Sequence, residues 1–197
     1  MINYEKKTEG VIFDYCLWKN MLNYNQRVEL DNILSTDYET QEPKNFGASD
    51  SLGNLKKSSN VFVSKYSKVK HILKDIFEEA IKINNFKFGY DLFEINSMDS
   101  INYNIYESQT SSQYDWHLDS SQTIFYDVKL TLLINNSLDV YEGGNFFINS
   151  GNIYEIPDFS EPGSVLMIKS NLLHKVSPVT SGIRRSITSF LCGPRFR

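Results

Sequence analysis

From residue 86 to residue 191 the chain is broken into short runs of aromatic and branched residues separated by turn formers, at 86–95, 101–107, 114–119, 128–135, 145–148, 153–156, 164–168, 172–176 and 184–191. Residues of these types fill pleated surfaces well, and each run is of strand length, so each predicts a β-strand. Regular short strands of this kind build an antiparallel double-sheet barrel, a jelly roll with a pocket at its mouth. The pair Gly143-Gly144 permits a tight turn ahead of Phe146.

The first part of the chain has a different texture. Residues 18–35 carry Val28, Leu30, Ile33 and Leu34 in a polar setting and predict an amphipathic helix. A stretch at 40–60, rich in Ser, Asn, Gly and Lys, reads as an exposed loop. After residue 67 the apolar set Val69, Ile72, Leu73, Ile76, Phe77, Ala80 and Ile81 recurs at helical spacing. His71 lies off that stripe and is expected to be solvated, and the lysines around it form a wet helix face. The expectation is a single α+β domain over 1–197. Its N-terminal part to residue 85 is mainly helical, with a loop at 40–60 and helices packed on one sheet, and its jelly-roll (double-stranded β-helix) core spans 86–197.

A formal net charge of −4 provides no global positive field, so no nucleic-acid partner is expected. Cys16 and Cys192 are isolated, with no CxxC pattern, which argues against a zinc knuckle or disulfide scaffold and fits a reducing cytoplasm. Residues 1–10 carry four charges and lead into no long apolar run, so neither a signal peptide nor a membrane span is expected.

Chemistry concentrates in three places along the strand-rich part. Two of the chain's three histidines stand at His117 and His174, with Asp119 two residues after the first. On a strand, positions i and i+2 share a face, so His117 and Asp119 can grip one ion while Leu118 turns away. His174 must return from a distant strand, as a double-sheet barrel allows. Two histidines and one carboxylate form a facial triad, which occupies one side of an iron(II) ion and leaves the other side open to co-substrate and dioxygen. Ten residues on, the Arg184 guanidinium can clamp a carboxylate through two parallel hydrogen bonds, as a dicarboxylate such as 2-oxoglutarate requires. Taken singly each piece has a blander reading: a surface His-x-Asp triplet, a core histidine, a solvated Arg184-Arg185 pair. Their order on strand-like segments favours the joint reading.

Several longer motifs accompany these residues. They are Tyr114-Asp115-Trp116-His117-Leu118-Asp119, Tyr141-Glu142-Gly143-Gly144-Asn145-Phe146, Pro162-Gly163-Ser164, and the run from His174 through Gly182-Ile183-Arg184-Arg185-Ser186. With them, residues 103–197 resemble the catalytic domain of iron(II)- and 2-oxoglutarate-dependent dioxygenases of the prolyl 4-hydroxylase-like superfamily, and the ending Cys192-Gly193-Pro194-Arg195-Phe196-Arg197 looks like its bacterial and phage branch. The resemblance implies that His117, Asp119 and His174 bind iron and that Arg184 pairs with the distal carboxylate of 2-oxoglutarate. Ser186 would add a hydroxyl to that carboxylate and Tyr106 would line the co-substrate pocket, with core filling an equal reading of Tyr106. Asn135 is a weaker candidate for the same pocket. The resemblance also implies dioxygen as co-substrate, ascorbate as an accessory reductant, and hydroxylation of a C–H bond, most often of a peptidyl proline or similar residue, with release of succinate and CO2. A peptide, protein or small-molecule substrate is the expected partner, in a cytoplasm that would be the host's if the chain is viral. Residues 107–113 are more polar than the glycine-containing turn of relatives, which places the difference at the pocket rim. Rim candidates are 40–60 and 107–113, with Trp116 and Tyr126 either contacting substrate or packing. Two further readings stay open, a nucleic-acid base demethylase of the same superfamily and a noncatalytic barrel that holds zinc or a ligand.

Overall fold

The computed structural model describes residues 14–42, 57–120 and 123–195. Its strands are β1 (Tyr15–Trp18), β2 (Thr40–Glu42), β3 (Asn60–Lys65), β4 (Ser100–Glu107), β5 (Tyr114–His117), β6 (Asp127–Asn135), β7 (Glu142–Gly143), β8 (Phe146–Asn149), β9 (Ile153–Glu155), β10 (Val165–Lys169), β11 (Leu173–Val176), β12 (Val179–Ser181) and β13 (Ile183–Gly193). Two helices, α1 (Tyr24–Thr36) and α2 (Lys70–Ile83), fall in the first half. The major sheet runs β1-β10-β6-β13-β4-β3-β2, the minor sheet β5-β11-β8-β9, and β12-β7 form a separate ribbon. All pairings are antiparallel. This is the double-sheet barrel that the strand spacing predicts, with helices against one face of the larger sheet.

Strand alternation divides the interior into two cores. On β6, Leu130, Leu132 and Ile134 join Tyr103 of β4, Ile187 of β13 and the buried stripe Leu73, Ile76, Phe77 and Ala80 of α2. The other face of the same sheet contributes Tyr106, Leu133, Leu166 and Ile168, which meet Phe146, Ile148 and Val176 of the minor sheet. The site lies in this second, inter-sheet layer.

The first half differs from its expected pattern in informative ways. The helix expected from residue 18 starts at Tyr24, because Asn23 and Gln26 form a reciprocal capping box with both bonds at 3.0 Å. Trp18 belongs instead to β1, an edge strand of the major sheet. The ends of the expected 40–60 loop are strands β2 and β3, while residues 43–56 lie outside the described residues. The strand expected at 86–95 is absent. α2 continues through a π-helical turn at Asn84–Phe88 that ends on Gly89 with φ of 70°, and the Asn84 side chain holds both backbone groups of Tyr90. Phe88, Tyr90, Leu92 and Ile95 pack on the helix-side core, so their near-alternation reflects packing of irregular chain and not a pleat.

Candidate active site

His117 ends β5 and His174 sits in β11 directly opposite it in register. Asp119 was expected on the same strand as His117, but β5 stops at His117. The backbone N–H groups of Asp119 and Ser120 both donate to the Ser170 carbonyl at 3.0 Å, which bends the chain over the pocket. That carbonyl belongs to a serine pinned in turn by its hydroxyl on Val128 O at 2.6 Å. The outcome is a compact cluster in which one donor atom each from His117, Asp119 and His174 lies within 4.8 Å of the others. His117 Nε2 stands 3.6 Å from Asp119 Oδ1, and His174 Nε2 stands 3.3 Å from Asp119 Oδ2.

The backbone fixes both ring tautomers. His117 Nδ1 donates to Asp115 O at 2.7 Å and His174 Nδ1 donates to Leu172 O at 2.8 Å. A carbonyl oxygen only accepts, so each Nδ1 carries a proton, and it is the tautomer with the Nε2 lone pair turned to the cluster that each ring takes when neutral. Stacking holds the rings in place: Tyr114 lies 3.4 Å from His117, and Phe146 lies 5.4 Å from His174. Burial, helped by the neighbouring His174, pushes the His117 pKa down to about 4. Burial works against the Asp119 carboxylate, but His174, His117 and the Thr131 hydroxyl outweigh it and hold Asp119 below the usual carboxylate range. A neutral ring and an ionised carboxylate are the forms a metal takes.

Arg184 is 2% exposed and is one of the largest fully buried side chains. Its Nη1 donates to Ser186 Oγ at 3.2 Å, its guanidinium lies 5.2 Å from the Tyr106 ring centre and 5.7 Å from that of Phe159, and Nε has no partner. Among the described residues no carboxylate pairs with it. A buried cation with an orphaned N–H is a ready partner for an anion. Room for the side chain comes from Gly144, with φ of +62°, where a Cβ would meet Arg184 Cδ at 2.7 Å. Tyr106 is buried opposite Arg184 on β4, and its hydroxyl pKa is raised by that burial against the pull of the Arg184 charge.

Other candidates take different places. Asn135 is not free to face a ligand: its amide nitrogen donates to Tyr141 Oη, Phe159 O and Ser160 O at 2.9–3.1 Å, and its oxygen accepts from Ser137 N. It pins the turn that carries Phe159. Trp116 stacks with Lys175, 4.9 Å from the ammonium, on the strand face opposite His174, so it packs outside the pocket. Tyr126 is 38% exposed in a turn closed by Thr123, beside the exposed Ile124 and Phe125. The polar turn at 107–113 is tied to Ser58 through Ser112 Oγ and the Gln113 N–H. His71 pairs with Glu29 at 2.9 Å on the outer surface, away from the cluster. The site residue not singled out from sequence is Thr131, whose hydroxyl donates to Asp119 Oδ2 at 2.8 Å. Its signal was the alternation along β6, where Asp127, Lys129, Thr131 and Asn135 fall on the side opposite the apolar Val128, Leu130, Leu132 and Ile134.

Comparison with known proteins agrees with this geometry. Residues 101–192 match the family described as the 2OG-Fe(II) oxygenase superfamily. A PKHD-type hydroxylase of Synechococcus sp. (strain CC9605) is 35% identical over 80 residues, which are 39% of this chain and 35% of that relative. The chain thus spans about a third of that protein's length. A prolyl-4-hydroxylase of Pseudomonas putida superposes with a TM-score of 0.69 over 92% of this chain and 94% of its own, at 13% identity. The viral collagen prolyl hydroxylase of Paramecium bursaria Chlorella virus-1, solved as a 2OG complex, gives 0.64 over 92% and 97%, also at 13% identity. Residues 101–192, just under half of the chain, thus match the 2OG-Fe(II) oxygenase superfamily, and the chain has the fold seen in these two prolyl hydroxylase structures.

Proposed function

We propose that the protein is an iron(II)- and 2-oxoglutarate-dependent hydroxylase acting on a C–H bond of a peptidyl proline or similar amino-acid residue. The observation that carries this is the pairing of an open three-ligand cluster with a buried guanidinium that meets no carboxylate among the described residues. His117, Asp119 and His174 would hold the metal on one side through two Nε2 lone pairs and a carboxylate. Three protein ligands leave positions for exchangeable groups, whereas a structural zinc site normally closes with four. Arg184, helped by the Ser186 hydroxyl and backed by the Tyr106 and Phe159 rings, would hold the far carboxylate of 2-oxoglutarate. Iron(II) bound there with 2-oxoglutarate and dioxygen supplies the oxidising power for hydroxylation, with succinate and CO2 as co-products. The chain's own contribution is orientation and exclusion of water: Phe146, Phe159, Leu133 and Ile168 line the space between the sheets with buried apolar surface. The peptide preference rests on the prolyl hydroxylases among the structural neighbours.

The reading is tested by following 2-oxoglutarate decarboxylation by the iron-loaded protein with proline-containing peptides. Peptide-stimulated succinate release in the wild type, and its loss in both His174→Ala and Asp119→Ala, is the expected result. Full activity in His174→Ala would overturn the assignment.

A further inference from the structure

The pocket-side face of the major sheet extends past Arg184 as a floor that the co-substrate assignment does not use. Side-chain bonds fix which residues share it. Arg184 bonds Ser186 Oγ at 3.2 Å, and the Asn104 amide nitrogen bonds Thr188 Oγ1 at 3.1 Å and the Ser186 carbonyl at 3.4 Å. In register, Arg184 faces Tyr106, Ser186 faces Asn104, and Thr188 faces Asn102 across β13 and β4. On the other side of β13, Thr188 pairs with Leu133 and Phe190 pairs with Thr131, the residue that bonds the Asp119 carboxylate. The floor therefore runs from Arg184 through Ser186 and Thr188 to Phe190, and its far end lies beside the metal cluster.

The chemistry of that floor is specific. Between Arg184 and Phe190 it bears no formal charge, only two carboxamides, two hydroxyls, Leu133 and a Phe190 ring that is 38% exposed. Asn104 is 7% exposed, and its nitrogen is engaged with Thr188, Ser186 and Asn102 backbone or hydroxyl oxygens, while its Oδ1 meets no donor among the described residues. The half-buried Asn102 amide makes no hydrogen bond among the described residues. Thr188 Oγ1 accepts from Asn104, which leaves its proton to donate. Unmet donors and acceptors next to apolar surface match a neutral group that both donates and accepts, and they desolvate a carboxylate or ammonium without a counter-ion.

We propose that Asn102, Asn104 and Thr188 form a specificity-determining surface that hydrogen-bonds a neutral amide flanking the carbon to be oxidised, with Phe190 packing against its apolar side. The site thereby selects an amide-embedded residue over the free, doubly charged amino acid. This rests on the hydroxylase reading above.

The test uses the full chain loaded anaerobically with iron(II) and 2-oxoglutarate, whose visible charge-transfer band is perturbed when a substrate binds. Capped tripeptides, acetyl-Gly-Xaa-Gly-amide including Xaa = Pro, are titrated against the matching free amino acids. The proposal expects at least one capped peptide to perturb the band while its free amino acid does not. It further expects Asn102→Ala and Thr188→Val each to weaken that response roughly five- to tenfold, the worth of one hydrogen bond, with 2-oxoglutarate affinity unchanged. A free amino acid that responds as strongly as its capped form would overturn it, as would variants that leave the capped response unaltered or a wild type that answers no capped peptide. Failure of the hydroxylase reading is separately visible, because the band itself would then be missing before any peptide is added.

Discussion

The Thr131 hydroxyl, fully buried, donates to Asp119 Oδ2 at 2.8 Å, so one carboxylate oxygen is held and Oδ1 is left to bind. Partners of this kind orient the groups that touch a metal, and their loss commonly costs ten- to a hundredfold in affinity. Thr131→Val, which keeps the shape, should therefore weaken iron(II) binding by roughly that factor, and Thr131→Ser should restore most of it. Equilibrium titration of the apo-protein reads both, and unchanged affinity in the valine variant would remove Thr131 from the site. Arg184 makes the opposite case, because its uncompensated buried charge is unfavourable until an anion arrives. Arg184→Met should leave the apo-protein at least as heat-stable as the wild type, yet abolish the rise in melting temperature that 2-oxoglutarate gives the iron-loaded protein. At this scale the sequence was legible where chemistry is rare: two of three histidines, one carboxylate at i+2, one arginine downstream. Thr131 was less visible because threonine is common on strands, and only the third dimension brings it to Asp119.

At the level of elements, turns and caps decide where the side chains point. Gly144 adopts φ of +62° and leaves the space that the Arg184 side chain fills, with Val179 Cγ2 at 3.0 Å from any added Cβ. Gly144→Ala should raise the KM for 2-oxoglutarate without touching a ligand residue, and an unchanged KM would show that the strand pair can yield. The glycine pair was readable as a turn, but not its role in admitting a guanidinium, since that depends on β13 passing beneath it. β1 and β3 escaped notice for a related reason: each is a short edge-side strand beside a helix, and pairing with β10 and β4 makes them strands more than their own composition does. α1 is anchored to the sheet by polar contacts that its weak apolar stripe did not announce. Asp31 accepts from the buried Tyr103 hydroxyl and pairs with Arg185 Nε at 3.1 Å.

For the molecule as a whole, the two cores separate stability from chemistry. Leu73 of α2 is fully buried in the helix-side core, so Leu73→Ala should lower stability by about 2–5 kcal/mol, while iron affinity measured below the melting transition stays within about twofold of wild type. The pH response follows from the inter-sheet core. His117 is held neutral down to about pH 4 in the fold but titrates near 6.5 when unfolded, so the unfolded chain takes up the proton first. Stability from this group is complete above pH 6.5 and is lost as pH falls toward 4, on the order of 3 kcal/mol at most. Asp119, also lowered, adds a loss of the same sign below the ordinary carboxylate range. The apo-protein should thus melt at steadily lower temperature from pH 7 to pH 4, and His117→Gln should flatten the upper part of that slope. The central claim is that the triad and Arg184 form one co-substrate site, and anaerobic titration of the apo-protein with iron(II) followed by 2-oxoglutarate tests it most directly. A visible charge-transfer band should develop on adding 2-oxoglutarate, vanish in His117→Ala, and require far more 2-oxoglutarate in Arg184→Ala; a folded wild type that binds iron(II) and 2-oxoglutarate yet gives no band would contradict it.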